Sequence, residues 1–122
     1  MMNTTKKILI VYHTQSGYTE RLIEAFVKGT KHPDITDVSV TVRDALEVSA
    51  EEVIAADGIG FGTPENYGYM SGALKYFFDR IYYPCLEETQ GLPFTGVIRA
   101  GNDGQGALTS IELITTGFRL RC

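Results

Sequence analysis

The sequence predicts an α/β fold built as a doubly wound parallel sheet, on three observations. The run Ile8-Leu9-Ile10-Val11-Tyr12 is apolar on both faces, as expected of a central strand covered by helices on each side. Segments of strand character alternate with segments of helical periodicity along the whole chain, which implies right-handed βαβ units. Neither internal repeats nor low-complexity tracts interrupt them, and 122 residues with 43% hydrophobic content suggest one domain, residues 1–122, with a sizeable core.

The elements follow in order. After the first strand, a helix runs from about Tyr18 to Lys31, with Leu22, Ile23, Phe26 and Val27 as its apolar stripe, and the His32-Pro33 step ends it. Val38, Val40 and Val42 alternate with Ser39 and Thr41, the pattern of a second strand with one exposed face and therefore an edge. Ser49 followed three residues later by Glu52 has capping-box spacing and opens a short helix reaching Ala56. Asp57 to Gly62 reads as a third strand whose glycines let a ligand or a helix approach the backbone closely. The third helix follows from Ser71, and Leu74, Phe77, Phe78 and Ile81 share one face of it as a core stripe. Polar residues 87–95 lead into a fourth strand at about Gly96 to Ala100, and a final helix spans roughly Gly106 to Thr116. The expected strand order is 2-1-3-4.

A formal charge of −4 and scattered basic residues argue against nucleic acid or an anionic membrane surface as a partner. Lys6-Lys7 before an apolar run resembles the start of a signal peptide, but Glu20 and Glu24 lie in the next helix and no cleavage site follows. A cytoplasmic domain is the expectation. Cys85 and Cys122 form no CxxC and have no histidines at metal-site spacing, so no metal site is expected and both thiols read as structural and reduced. His13 and His32 also read as structural.

The chemistry lies in Thr14-Gln15-Ser16-Gly17-Tyr18-Thr19, a hydroxyl-rich turn between the first strand and the first helix. Such a turn aims backbone N–H groups and the positive end of the helix dipole into a pocket, where an anion binds without a lysine. No Walker lysine and no spaced glycine triplet is present, so a phosphomonoester fits better than a nucleoside triphosphate or a dinucleotide. Taken alone, the turn also reads as an ordinary serine N-cap. Two more loops accompany it: Gly62-Thr63-Pro64-Glu65-Asn66-Tyr67-Gly68 after the third strand and Ala100-Gly101-Asn102-Asp103-Gly104 after the fourth. With Ser71-Gly72-Ala73-Leu74-Lys75, these loops resemble flavodoxin-like FMN reductases and the tryptophan-repressor-binding-protein type of quinone reductase over nearly the whole chain.

The resemblance implies FMN as cofactor. Thr14, Ser16 and Thr19 would give hydroxyls to its phosphate, and Gln15, Gly17 and Tyr18 backbone N–H groups. Thr63, Pro64, Glu65, Asn66, Tyr67 and Gly68 would pass along the edge of the isoalloxazine, with Tyr67 favoured over Tyr69 to stack on the ring and Glu65 as a loop cap. Gly101, Asn102, Asp103 and Gly104 would close the site from the other side, although their turn chemistry alone would justify them. No catalytic side chain is assigned, because the chemistry belongs to the flavin. The implied activity is NAD(P)H-dependent reduction of a quinone or other small acceptor; the alternatives are a flavodoxin-type one-electron carrier that docks on redox proteins, and an inactive binding module. A phosphoacceptor receiver domain shares the topology but needs acidic residues around the first strand, and Ile8 to Thr14 has none.

The resembled fold has a fifth strand and helix, whereas here Gly117 to Cys122 allow the strand only to begin. In that fold the last helix shares a sheet face with the first, so an uncovered apolar face is expected here: either the chain is truncated, or a partner subunit of a homo-oligomer covers it. Arg99, a charge within an apolar strand, either faces that side or reaches solvent at the strand's carboxyl end.

Overall fold

The computed structural model describes residues 5–122. The elements are β1 (Lys6–Tyr12), α1 (Tyr18–Thr30), β2 (Val38–Asp44), α2 (Ala50–Ile54), β3 (Gly58–Asn66), β4 (Tyr69–Met70), α3 (Gly72–Ile81), β5 (Phe94–Arg99) and α4 (Gln105–Gly117). The parallel strands lie in the order β2-β1-β3-β5, the expected 2-1-3-4 once the two-residue β4 is set apart. β2 lies at the edge of the sheet as expected, but its valine face is not sealed, since Val38 and Val42 are exposed as well as Ser39 and Thr41, and Val40 is half-buried.

Side chains of the central strands alternate between two faces. Leu9, Val11, Ile59 and Phe61 meet Leu74, Phe77 and Phe78 of α3 and Ile111 of α4 in one buried cluster. Phe61 sits at its centre, 5.0 Å from the Phe78 ring centroid and 6.3 Å from that of Phe77. The predicted α3 stripe is therefore core throughout. Helix α1 takes the other face, and the glycines of β3 serve it: a Cβ on Gly62 would lie 2.6 Å from the Ile23 side chain. Ser49 caps α2 in a complete capping box with Glu52, as its spacing predicted. Arg80 of α3 ties the preceding connection down, donating to the carbonyls of Ala45 and Val48 at 2.6 Å each.

Strand β3 is longer than the sequence suggests, since Thr63 to Asn66 continue it instead of forming a loop. The physical reason is positional. Pairing with β1 ends at Gly62, so beyond it β3 has one neighbour only, and Pro64 can pair with Arg99 without breaking a ladder on its other side. Asn66 then turns back through Tyr67-Gly68 into β4, which makes a short antiparallel hairpin that the sequence reading did not foresee.

After α4 a single isolated bridge forms beside the start of β5. Arg121 pairs in parallel with Pro93, its N–H donating to Leu92 at 2.9 Å while its carbonyl accepts from Phe94 at 2.8 Å. On the α1 face an apolar groove of about 350 Å³ lies open between Ile8, Phe26, Ile35, Val38 and Thr95, where the uncovered surface was expected.

The two thiols differ in environment. Cys85 is buried, and burial together with Glu51 and Glu88 pushes its thiol up to about 11; Cys122 is exposed. Because the thiolate is the reactive form, alkylation of the native protein near neutral pH is expected at Cys122 while Cys85 is spared. Peptide mass mapping after iodoacetamide checks this, and equal labelling of Cys85 would contradict it.

Candidate functional site

Three segments meet at the carboxyl end of the sheet, where ligand crevices form in open α/β sheets. They are the turn between β1 and α1, the β3–β4 hairpin, and the turn between β5 and α4.

The first turn is built around Gly17, the N-cap of α1, whose left-handed φ of 87° starts the helix without a side-chain cap. Thr14 Oγ1 accepts the Gly17 N–H at 2.9 Å, curling the turn and leaving the Thr14 hydroxyl proton free to donate. Gly17, expected among the amide donors, thus gives its N–H to the turn itself. The backbone N–H groups of Gln15, Ser16, Tyr18 and Thr19 and the hydroxyls of Ser16 and Thr19 make no hydrogen bond to any described residue. Thr19 is 2% exposed, so its hydroxyl is held in place by packing.

Comparison with the other helices gives this observation its weight. Ser49 and Ser71 cap α2 and α3 through their own hydroxyls. Helix α4, which also starts at the crevice, has its amides taken by carboxylates: Asp103 accepts from Gln105 at 3.0 Å and Glu65 from Ala107 at 3.0 Å. Only α1, among the described helices, has a first turn without an internal acceptor. Orphan amides at a helix N-terminus, joined by two hydroxyls, are the donor set of an anion site. The residues present therefore fit a phosphomonoester.

The second segment is more rigid than a loop. Tyr67 (φ 53°) and Gly68 (φ 70°) are both left-handed, as the central pair of a type I′ hairpin turn must be. Tyr67 stands fully exposed at the tip. Thr63, by contrast, is wholly buried, and its hydroxyl donates to Pro64 O at 2.8 Å and accepts from Ser71 N at 2.9 Å, serving the chain and not the crevice. Pro64 is buried too, while Glu65 and Asn66 are half-buried. Glu65 acts as a cap, for α4, which agrees with reading it as a capping group.

Contacts lock the segments to one another. Asn66 Nδ2 donates to Gln15 Oε1 at 3.0 Å, joining the first to the second. Met70 N donates to Ser110 Oγ at 3.1 Å, and α4 packs so closely on the hairpin that a Cβ on Gly106 would overlap Gly68 O and lie 2.7 Å from its carbonyl carbon. In the third segment Gly101, Asn102 and Asp103 are exposed, and Gly104 is buried as the left-handed N-cap of α4. Thus all three predicted loops converge, although Thr63 and Pro64 offer no side chain to the crevice.

Sequence reasoning missed Gly106 and Ser110 as the fixings of the hairpin, and no local pattern marks either. It singled out Arg99 without finding its partner. Arg99 ends β5 on the α1 face, with its guanidinium 4.7 Å from the Tyr18 ring centroid. Among the described residues no group of His, Cys, Asp and Glu could hold a metal, and no helix is long and apolar enough to cross a membrane.

The sheet order, the crevice at its reversal point and the uncapped, hydroxyl-lined first crossover define a flavodoxin-like α/β protein. A family model described as NADPH-dependent FMN reductase matches residues 13–121, and the chain belongs to that family. It is 31% identical over 100 residues to a flavodoxin of Aquifex aeolicus, covering 82% of this chain and 53% of that protein. It is also 31% identical over 94 residues to an NAD(P)H dehydrogenase (quinone) of Acidithiobacillus ferrooxidans, covering 61% of this chain and 46% of that one. The chain thus spans about half the length of these curated relatives. Among solved structures, the WrbA-like flavodoxin of Agrobacterium tumefaciens superposes with a TM-score of 0.77 at 26% identity, over 95% of this chain and 75% of the other.

Proposed function

We propose that this chain is a cytoplasmic FMN-binding domain of an NAD(P)H-dependent oxidoreductase that reduces a quinone or another small acceptor. The observation that carries the reading is the unsatisfied N-terminus of α1 amid the hydroxyls of Thr14, Ser16 and Thr19. Those hydroxyls, with the backbone N–H groups of Gln15 and Tyr18, hold the phosphate. The backbone of residues 64–68 borders the ring, Tyr67 stacks on it, and residues 101–104 close the opposite side. When bound, the flavin supplies hydride-accepting chemistry; the chain's part is to hold and orient it and to shield one face from water. The open groove beside α1 is a surface for a second copy of the chain, which light scattering of the purified protein tests.

A one-electron carrier that docks on redox proteins is the second reading, favoured by the similarity to the Aquifex flavodoxin. Anaerobic titration with NADPH and NADH, followed by flavin absorbance, separates the two. Full bleaching by one equivalent of either nicotinamide is expected of the reductase. A yellow protein that only dithionite reduces would favour the carrier, and a protein that stays colourless with added FMN would overturn both.

A further inference from the structure

The outer edge of β2 is open along its whole length. Among the described residues β2 pairs only with β1, in unbroken register from Val38 to Asp44, so no bulge turns the edge aside. Neither proline nor lysine guards it, and its charges, Arg43 and Asp44, stand together at one end. Such devices are how proteins blunt an edge strand, and without them the edge is a template for another strand. The ends of the ladder fix which backbone groups face outward. Lys6 N donates to Asp37 O at 2.8 Å and Ala45 N to Tyr12 O at 2.8 Å, so the odd-numbered residues address β1. A strand residue points its N–H and C=O to one side and its neighbours point theirs to the other, so Val38, Val40 and Val42 turn theirs away from β1.

These outward residues lie in a stretch whose pattern reads alike in both directions, Val38-Ser39-Val40-Thr41-Val42. Antiparallel pairing with an identical strand about Val40 sets Val40 opposite itself and Val38 opposite Val42, at positions where each pair exchanges two N–H···O bonds. The exposed valines then cover one another. The same alignment sets Ser39 opposite Thr41 on the other face and Asp37 opposite Arg43, which places opposite charges at both ends of the contact. A twofold contact demands this self-complementarity, and an unrelated partner does not. We propose that β2 pairs antiparallel with β2 of a second copy across a twofold axis at Val40, joining the parallel sheets of the two copies into one. The inference rests on the second-copy reading above and names its seam: Val38 also lines the apolar groove beside α1, and the exposed Ile35 and Leu46 flank the strand at either end.

Light scattering of the purified protein over a concentration series tests this, with two variants at exposed side chains and circular dichroism as the control for folding. Ser39→Lys/Thr41→Lys sets like charges opposite one another twice across the seam and is expected to weaken the dimer about tenfold or more. Ser39→Lys/Thr41→Glu sets opposite charges there and is expected to stay within about threefold of wild type. Equal effects of the two variants, or no effect of either, would overturn the seam and leave a dimer through another face. Hydrogen exchange of the wild-type protein reads the same contact without a substitution. The amides of Val38, Val40 and Val42 are expected to slow as concentration rises through the dimer range, while those of Ser39 and Thr41, bonded to β1 in either state, stay unchanged. Outward amides that exchange freely in a dimeric protein overturn the inference and leave the second-copy reading intact; a chain that stays monomeric at every concentration overturns both.

Discussion

Replacing Ser16 and Thr19 together by alanine is expected to weaken FMN binding by roughly 1.5–3 kcal/mol for each hydroxyl lost, because hydrogen bonds to a charged phosphate exceed those between neutral groups. The change should leave the fold in place. Ser16 is exposed and makes no hydrogen bond to a described residue, so its removal costs little without ligand. Thr19 is buried, and its loss removes a methyl group as well, so Thr19→Val is the better partner where stability must be kept. Fluorescence quenching of FMN on titration with protein measures the effect, and circular dichroism controls for folding. An affinity equal to that of wild type would remove these hydroxyls from the phosphate site.

The second large effect is expected at Gly106, which contacts no flavin in this reading but backs the hairpin that borders the ring. Its Cα approaches the hairpin tip so closely that an alanine methyl would occupy the position of the Gly68 carbonyl. Backbone cannot yield as the end of a flexible side chain can. Gly106→Ala is therefore expected to cost about 1–3 kcal/mol of stability and to push the hairpin away from α4. That shift strains the Glu65 cap on Ala107 and the Met70 bond to Ser110, and it carries Tyr67 with it. FMN affinity should fall together with the melting temperature. Gly117→Ala is the internal control: no atom lies within 4 Å of its added methyl, so it should be neutral or slightly stabilising. If the two substitutions behave alike, the hairpin is not clamped as described.

Periodicity made most of the fold legible. The stripe Leu74, Phe77, Phe78, Ile81 and the apolar run of β1 are local signals that tertiary packing reinforces, and both appear where expected. The end of β3 was hidden for the opposite reason. Thr63-Pro64-Glu65-Asn66 has the composition of a turn, and only the neighbouring β5, distant in sequence, makes it a strand. The candidate site divides in the same way. Hydroxyls and a glycine between strand and helix announced the first segment, since a helix start has recognisable chemistry. Which of its donors are free depends on internal bonds such as Gly17 to Thr14, and no spacing rule reveals them. Likewise Thr63 looked available and is sealed in the core, and Gly106 looked like a weak helix former and is a contact point.

The central claim is that the first turn of α1 grips a phosphate through amides and alcohols. Comparing FMN with riboflavin, which has the same ring and no phosphate, tests it most directly. The amide and hydroxyl donors together predict that FMN binds at least about a hundredfold more tightly, with the difference largely gone in the Ser16→Ala/Thr19→Ala protein. Equal affinity for FMN and riboflavin in the wild-type chain would contradict the account.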